Sequence, residues 1–265
     1  MFTFAALCPH PPLIIPTIGQ NNLDSLATTI SSLKKLNARL LELKPATLVI
    51  ISPHNKSNEN FVINNSPKYS GSLENFGDLA TKLDLTADTE LIDSLQKNLA
   101  DSKTKFPLAI SSEEKIDYGI TIPLYYLLEN LIGVKFIALH PSTTTDLKSH
   151  LEFGKVLQKT LTASDKKIAL VASGDLSHKI SDDSPVGISP RAKEFDHTLI
   201  KLLKHKKINE IAALETALSA EAEECGLKPL TMLLGLLYRV PYAPKILSYE
   251  HPFGIGYLTM EMELK

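Results

Sequence analysis

The chain has 265 residues, 43% of them hydrophobic and 22% charged, with 28 Lys and Arg against 30 Asp and Glu. That composition excludes wholesale disorder, and a net charge of −2 gives no general attraction to nucleic acid or to an anionic membrane. Two cysteines cannot build a disulfide framework, and no apolar run nears the ~20 residues of a membrane span, so a soluble cytoplasmic protein with no nucleic-acid or membrane partner is expected. The apolar opening lacks a basic region and is broken by His10 and three prolines, so it is not read as a signal peptide.

In chain order, Phe2 to Leu7 reads as a strand ending at Cys8-Pro9-His10. Leu23, Leu26, Ile30, Leu33, Leu36 and Leu40 form one apolar helix face, stopped by Pro45. Thr47 to Ser52 is a second apolar strand running into Pro53-His54. Strands are expected at Phe61 to Asn64 and Leu83 to Thr86, and helices from Thr89 to about Ala100 and from Pro123 to Asn130. Val134 to Leu139 is a strand, Leu147 to Leu161 a helix, and Ile168 to Ala172 a strand leading into Ser173-Gly-Asp-Leu-Ser-His178. Helices follow at Arg191 to Leu203, Ile208 to Leu214 and from about Pro229 to Leu236, then strands at Lys245 to Tyr249 and Ile255 to Met260. Strands alternating with helices predict an α/β fold whose sheet is buried on both faces, and the hairpin-like end predicts a mixed sheet.

Three histidines follow apolar strands: His10, His54 and His178. In open α/β sheets the ligand crevice lies beyond the carboxyl ends of the strands, so residues far apart in sequence can meet there. His140 also ends a strand and is a fourth candidate, and His251, in a Pro-Gly turn, can line the rim. His150, His197 and His205 sit among polar helix residues and are expected to be solvated. A metal site needs a carboxylate or thiolate as well, and Glu224 and Cys225 precede a helix whose N-terminus favours an ionised carboxylate. Two histidines and one carboxylate describe a non-haem Fe(II) site. A serine hydrolase built on Ser173 or Ser177 with His178 is disfavoured by the absence of a GxSxG elbow.

Cys8-Pro-His10-Pro-Pro, Ser52-Pro-His54, Asp117-Tyr-Gly-Ile-Thr-Ile-Pro-Leu124, Ser173-Gly-Asp-Leu-Ser-His178, Glu224-Cys-Gly226 and Tyr249-Glu-His-Pro-Phe-Gly-Ile-Gly-Tyr257 occur in one order. Together they resemble the class III extradiol ring-cleavage dioxygenases, the LigB-like family, in the branch related to Memo proteins. The resemblance implies one three-layer α/β/α domain over residues 1–265. It implies a site in which His10, His54 and Glu224 hold Fe(II), with Cys225 the alternative third ligand of a Memo-like site. It implies a small aromatic substrate and O2, His178 as the acid–base, and Tyr118 where many members carry a second active-site histidine. Pro11, Pro12, His140, Ser177 and His251 are the expected pocket residues. Zn(II) or another divalent ion is the competitor for the site, since affinity order favours zinc over iron. A homodimer is expected from its frequency among soluble enzymes. The Memo-like alternative is a metal-binding or adaptor protein without ring cleavage, acting beside a radical-SAM enzyme.

Overall fold

The structure is a computed structural model that describes residues 1–54 and 59–265. Ten strands and nine α-helices are found among them. The strands are β1 (Phe2–Cys8), β2 (Thr47–Ile51), β3 (Phe61–Asn64), β4 (Lys68–Leu73), β5 (Asp78–Thr86), β6 (Leu108–Ser111), β7 (Lys135–His140), β8 (Ile168–Ser173), β9 (Tyr242–Glu250) and β10 (Tyr257–Leu264). The helices are α1 (Pro16–Gly19), α2 (Ala27–Leu43), α3 (Thr89–Ala100), α4 (Tyr118–Leu127), α5 (Leu147–Thr162), α6 (Ala192–Lys204), α7 (Ile208–Ile211), α8 (Thr216–Ala222) and α9 (Leu227–Leu236).

Eight strands form one sheet in the order β6-β3-β7-β2-β8-β1-β10-β9, and β4 pairs β5 in a separate hairpin. The central four, β7, β2, β8 and β1, are mutually parallel. β3 joins β7 antiparallel at one side, and the β10–β9 hairpin joins β1 antiparallel at the other, so the sheet is mixed as expected. Every residue of β2 and β8 is buried, which is why those strands read as unbroken apolar runs. Helices α2 and α4 form one packed layer, and α5 with α3 and α9 another, the latter lying on β2 and β8. No helix among the described residues is long and apolar enough to cross a membrane.

Two expectations are corrected. Helix α4 begins at Tyr118, five residues before the proline taken as its start, and Pro123 lies inside it. His150 is fully buried rather than solvated, with Nδ1 2.7 Å from Asp146 O and Nε2 2.9 Å from Ser142 O, because it turns inward in the first turn of α5. His197 and His205 are exposed.

Candidate metal centre and active site

The four parallel strands end on one side of the sheet, and each delivers a histidine there. His10 follows β1, His54 follows β2, His140 is the last residue of β7, and His178 lies five residues beyond β8. His10 and His54 meet, with their Nε2 atoms 3.2 Å apart. Cys225 brings its Sγ to 3.6 Å from His10 Nε2. Asp175 Oδ2 stands 3.9 Å from the same nitrogen and 4.0 Å from His178 Nε2. His10, Asp175 and Cys225 offer donor atoms within 4.8 Å of one another.

A proline sets the orientation of His10. Pro123 has no N–H, so the Gly119 carbonyl one turn earlier lacks its helical donor. Ser173 Oγ supplies one, donating to Gly119 O. With its proton committed, Ser173 Oγ must accept from His10 Nδ1, 2.8 Å away. The proton therefore sits on Nδ1, and the Nε2 lone pair faces His54 and Cys225, as a metal ligand requires. Burial lowers the His10 pKa to about 4, and burial with the neighbouring His10 does the same for His54, so both are neutral at pH 7. Burial pushes the Cys225 thiol well up, and the Asp175 carboxylate adds to this.

The two separations measured from His10 Nε2 fit ligands of one divalent ion. Two nitrogens at ~2.1 Å from a tetrahedral ion lie about 3.4 Å apart, and a nitrogen and a sulfur at ~2.3 Å about 3.6 Å. The observed separations of 3.2 and 3.6 Å match both edges.

Glu224, the expected third ligand, has both oxygens engaged elsewhere: Oε1 accepts from Ser219 Oγ at 2.7 Å and Oε2 from the Leu227 amide, 2.6 Å away at the start of α9. Its neighbour Cys225 faces the histidines instead. The turn is made at Glu223, whose φ of 51° is left-handed, so successive side chains leave α8 in different directions. The Glu223 carbonyl accepts from His178 Nδ1, which leaves His178 Nε2 as the acceptor facing Asp175.

Tyr118 joins the cluster, its ring 4.2 Å from that of His54 and 5.2 Å from that of Phe76 on the β4–β5 turn. His140 donates from Nδ1 to Ser52 O at 3.1 Å and, with His54 and Asp117, lines a cavity of about 290 Å³. Pro11 and Pro12 form the turn after His10 and do not line that cavity, their carbonyls accepting from Ile14 and Ile15. Ser177 is buried behind the site, its hydroxyl donating to Ala222 O at 3.2 Å, so it is neither a pocket residue nor a nucleophile for His178. His251 is exposed, with its ring 6.0 Å from that of Tyr249.

Two carboxylates were missed as site residues. Asp175 accepts from the His10 amide at 2.9 Å, and burial raises its pKa to about 6. Asp117 accepts from Ser52 Oγ at 2.7 Å, and its other oxygen is buried without a hydrogen-bond partner among the described residues. Their signal was position: each lies within three residues of a candidate, His178 or Tyr118, at an element boundary.

Close backbone contact holds the loops together. A Cβ on Gly174 would lie 2.2 Å from Gly226 Cα, contact that no side-chain shift can relieve. Gly174→Ala is expected to destabilise the fold by about 1–3 kcal/mol, read by denaturant unfolding, and to weaken metal binding by moving Cys225 away from His10. Unchanged stability would show that the two loops are not held in register by this contact.

Behind Ser177, the buried Asp196 accepts from the Ser177 amide at 2.9 Å and from Tyr249 Oη at 2.7 Å. Burial raises its pKa from 3.8 to about 6. The folded chain thus keeps a proton that the unfolded chain has released, and the stability this confers below pH 3.8 is lost as pH rises through about 6. Asp196→Asn keeps an acceptor for Ser177 and gives a donor to Tyr249. Its melting temperature relative to the parent should therefore rise between pH 5 and pH 8, and an equal gap at both values would refute the assignment.

The molecule is thus a mixed α/β sheet with a cluster of possible metal donors beyond the carboxyl ends of its parallel strands. The chain belongs to the LigB family, the catalytic LigB subunit of aromatic ring-opening dioxygenase, which matches residues 4–260. It is 26% identical over 97% of its length to protein CA_C1420 of Clostridium acetobutylicum, and spans 56% of that protein. It is 23% identical to the 3,4-dihydroxyphenylacetate 2,3-dioxygenase of Escherichia coli over 92% of both chains. The crystal structure of the uncharacterized protein JW3007 from Escherichia coli K12 shares the fold, with a TM-score of 0.68, 17% identity, and coverage of 98% of this chain and 99% of that one.

Proposed function

We propose that the protein is an Fe(II)-dependent extradiol dioxygenase that opens the ring of a catechol-type substrate with O2. His10, His54 and Cys225 hold the metal, Asp175 stands beside them, and His178 handles the protons. Family membership and the similarity to a dihydroxyphenylacetate dioxygenase support an aromatic 1,2-diol as the substrate class. The observation that carries the reading is the pair of facing Nε2 atoms 3.2 Å apart, with an acceptor nitrogen of His178 across Asp175.

When bound, the ion supplies positive charge that lowers the proton affinity of a catechol hydroxyl. His178 Nε2 accepts that proton, because its Nδ1 is committed to the Glu223 carbonyl. The Asp175 carboxylate stabilises the resulting imidazolium and, through the His10 amide, fixes the first ligand. Tyr118 walls the site against His54 with its ring, and its hydroxyl stays protonated, since burial raises its pKa well above the usual phenol range. His140 lines the cavity with its Nδ1 committed to the Ser52 carbonyl.

Anaerobic loading with Fe(II), metal analysis and a catechol panel read by oxygen uptake test the proposal. Stoichiometric iron with turnover supports it. Failure to bind any divalent ion overturns the donor set.

The Memo-like alternative is favoured by one observation: a thiol, rather than the Glu224 carboxylate, stands beside His10. A softer donor set suits zinc or iron held without ring chemistry. In that reading the protein acts beside a radical-SAM enzyme, and metal binds without turnover of any catechol.

A further inference from the structure

The β4–β5 hairpin stands outside the main sheet. β4 takes one edge of β5, and among the described residues no strand pairs with the other. The register fixes which groups that bare edge shows. Thr86 lies opposite Lys68, and the next amide, Ala87, donates to Pro67 O at 3.0 Å, so Ala87 turns its backbone toward β4. Backbone direction alternates along an antiparallel strand, so Leu83 and Leu85 also face β4, while Lys82, Asp84 and Thr86 turn their N–H and C=O groups away. Asp88 follows the same alternation, its amide donating outward to Phe136 O at 2.9 Å, and β7 thereby covers the edge beyond Thr86. The outward groups of Lys82 and Asp84 remain open to an added strand. Proline is absent from β5, and the bulge in its pairing with β4 lies between Ser72 and Leu73, so neither device blocks this stretch.

A groove of about 510 Å³ runs beside the open edge, lined by Lys82 to Thr86 together with Leu128, Leu131, Val134 and Phe136. Ile132, between two lining residues, is 91% exposed, and Leu79 on β5 is 72% exposed. An unpaired edge beside apolar surface is a place for strand addition, and the charges say which strand. Lys82 and Asp84 are both exposed and project from the same face of β5. A two-fold pairing of this edge with its own copy can be centred on Lys82, on Leu83 or on Asp84. Centring on Lys82 sets lysine against lysine, and centring on Asp84 sets aspartate against aspartate. Centring on Leu83 sets Lys82 against the partner's Asp84, and Asp84 against the partner's Lys82. Opposite charges directly across a pair of strands stabilise it and like charges oppose it, so the sequence selects the third register. Lys82, Asp84 and Lys135 are of mixed sign, which favours no acidic or basic peptide but is matched by the same pattern turned end for end.

We propose that the open edge of β5 binds a second copy of this chain, the two strands pairing antiparallel about a two-fold axis at Leu83. The two hairpins then form one continuous sheet. This inference is independent of the metal and of the ring-cleavage reading. The same hairpin carries Phe76 against Tyr118, so the pairing braces one wall of the candidate site in both copies.

Sedimentation velocity on the full chain, from submicromolar to high micromolar concentration, is expected to show a reversible dimer. Lys82→Asp and Asp84→Lys each set like charges opposite one another at both pairs and are expected to weaken it about tenfold. The double variant, Lys82→Asp with Asp84→Lys, is expected to recover the parent's association. An equimolar mixture of the two single variants is expected to form the mixed dimer. Both positions are exposed, and an unchanged melting temperature at monomeric concentration checks that each variant folds. In the proposed register the two Leu83 residues form the close, non-hydrogen-bonded pair, with Cα atoms about 4.5 Å apart and within disulfide reach. Leu83→Cys is therefore expected to give a crosslinked dimer under mild oxidant that the parent does not give. A parent that stays monomeric throughout overturns the proposal. So does a dimer indifferent to both charge reversals, or one that the double variant fails to restore. A charge-sensitive dimer that Leu83→Cys does not crosslink overturns the axis at Leu83.

Discussion

His178→Ala is expected to retain full metal content and to lose about 10²–10⁴-fold in turnover on any catechol the parent cleaves. The two readouts separate because of where the ring sits. His10 and His54 face each other, whereas His178 stands on the far side of the Asp175 carboxylate, with one nitrogen already bonded to the Glu223 carbonyl. Removing it leaves the donor atoms His10 Nε2, His54 Nε2 and Cys225 Sγ in place. The lost rate is that of a proton acceptor and donor held near the reacting hydroxyl. Metal analysis beside oxygen-uptake kinetics checks this; loss of iron in step with activity would make His178 a ligand and remove the acid–base role.

The second large effect separates two adjacent residues. Cys225→Ala is expected to weaken metal binding by at least about ten- to hundredfold, the range seen even for outer-shell supports of a metal ligand. Glu224→Ala should leave metal affinity unchanged and instead cost roughly 1 kcal/mol of stability, because the Leu227 amide at the start of α9 loses its acceptor. Metal titration with a competing chelator and denaturant unfolding, run on both variants, give four numbers. The opposite pattern, affinity lost with Glu224 and kept without Cys225, would restore the carboxylate triad expected from the sequence.

Much of this site was legible in the sequence because strand ends are easy to read. The runs at Leu48 to Ile51 and Ile168 to Ala172 are apolar throughout, being buried on both faces, and each stops abruptly at Ser, Pro or Gly before a histidine. The rule that ligands gather beyond the carboxyl ends of parallel strands then brings His10, His54, His140 and His178 together without coordinates. What stayed hidden depends on single backbone angles and on missing donors. Nothing in Glu224-Cys225 as text says which side chain turns inward; the left-handed φ at Glu223 decides it. Pro123 reads as a helix start because first turns tolerate proline, yet here it lies within α4, and the carbonyl it frees is taken by Ser173. The β4 strand and helix α8 are hard to read because few of their inward positions are large and apolar: β4 buries Tyr69, Gly71 and Leu73, and α8 buries Leu218 and Ala222.

The donors also stand far apart along the chain: His10 and His54 by 44 positions, His10 and Cys225 by 215. One ion held by all three, as proposed, would act as a removable cross-link that closes loops spanning most of the polypeptide. Because only the assembled chain presents the donors, occupancy stabilises it by mass action, about 2.7 kcal/mol when free metal is a hundredfold above its dissociation constant. On the proposed function, metal supply would set endurance as well as activity, and the metal-free chain is expected to unfold and to be cut by proteases first.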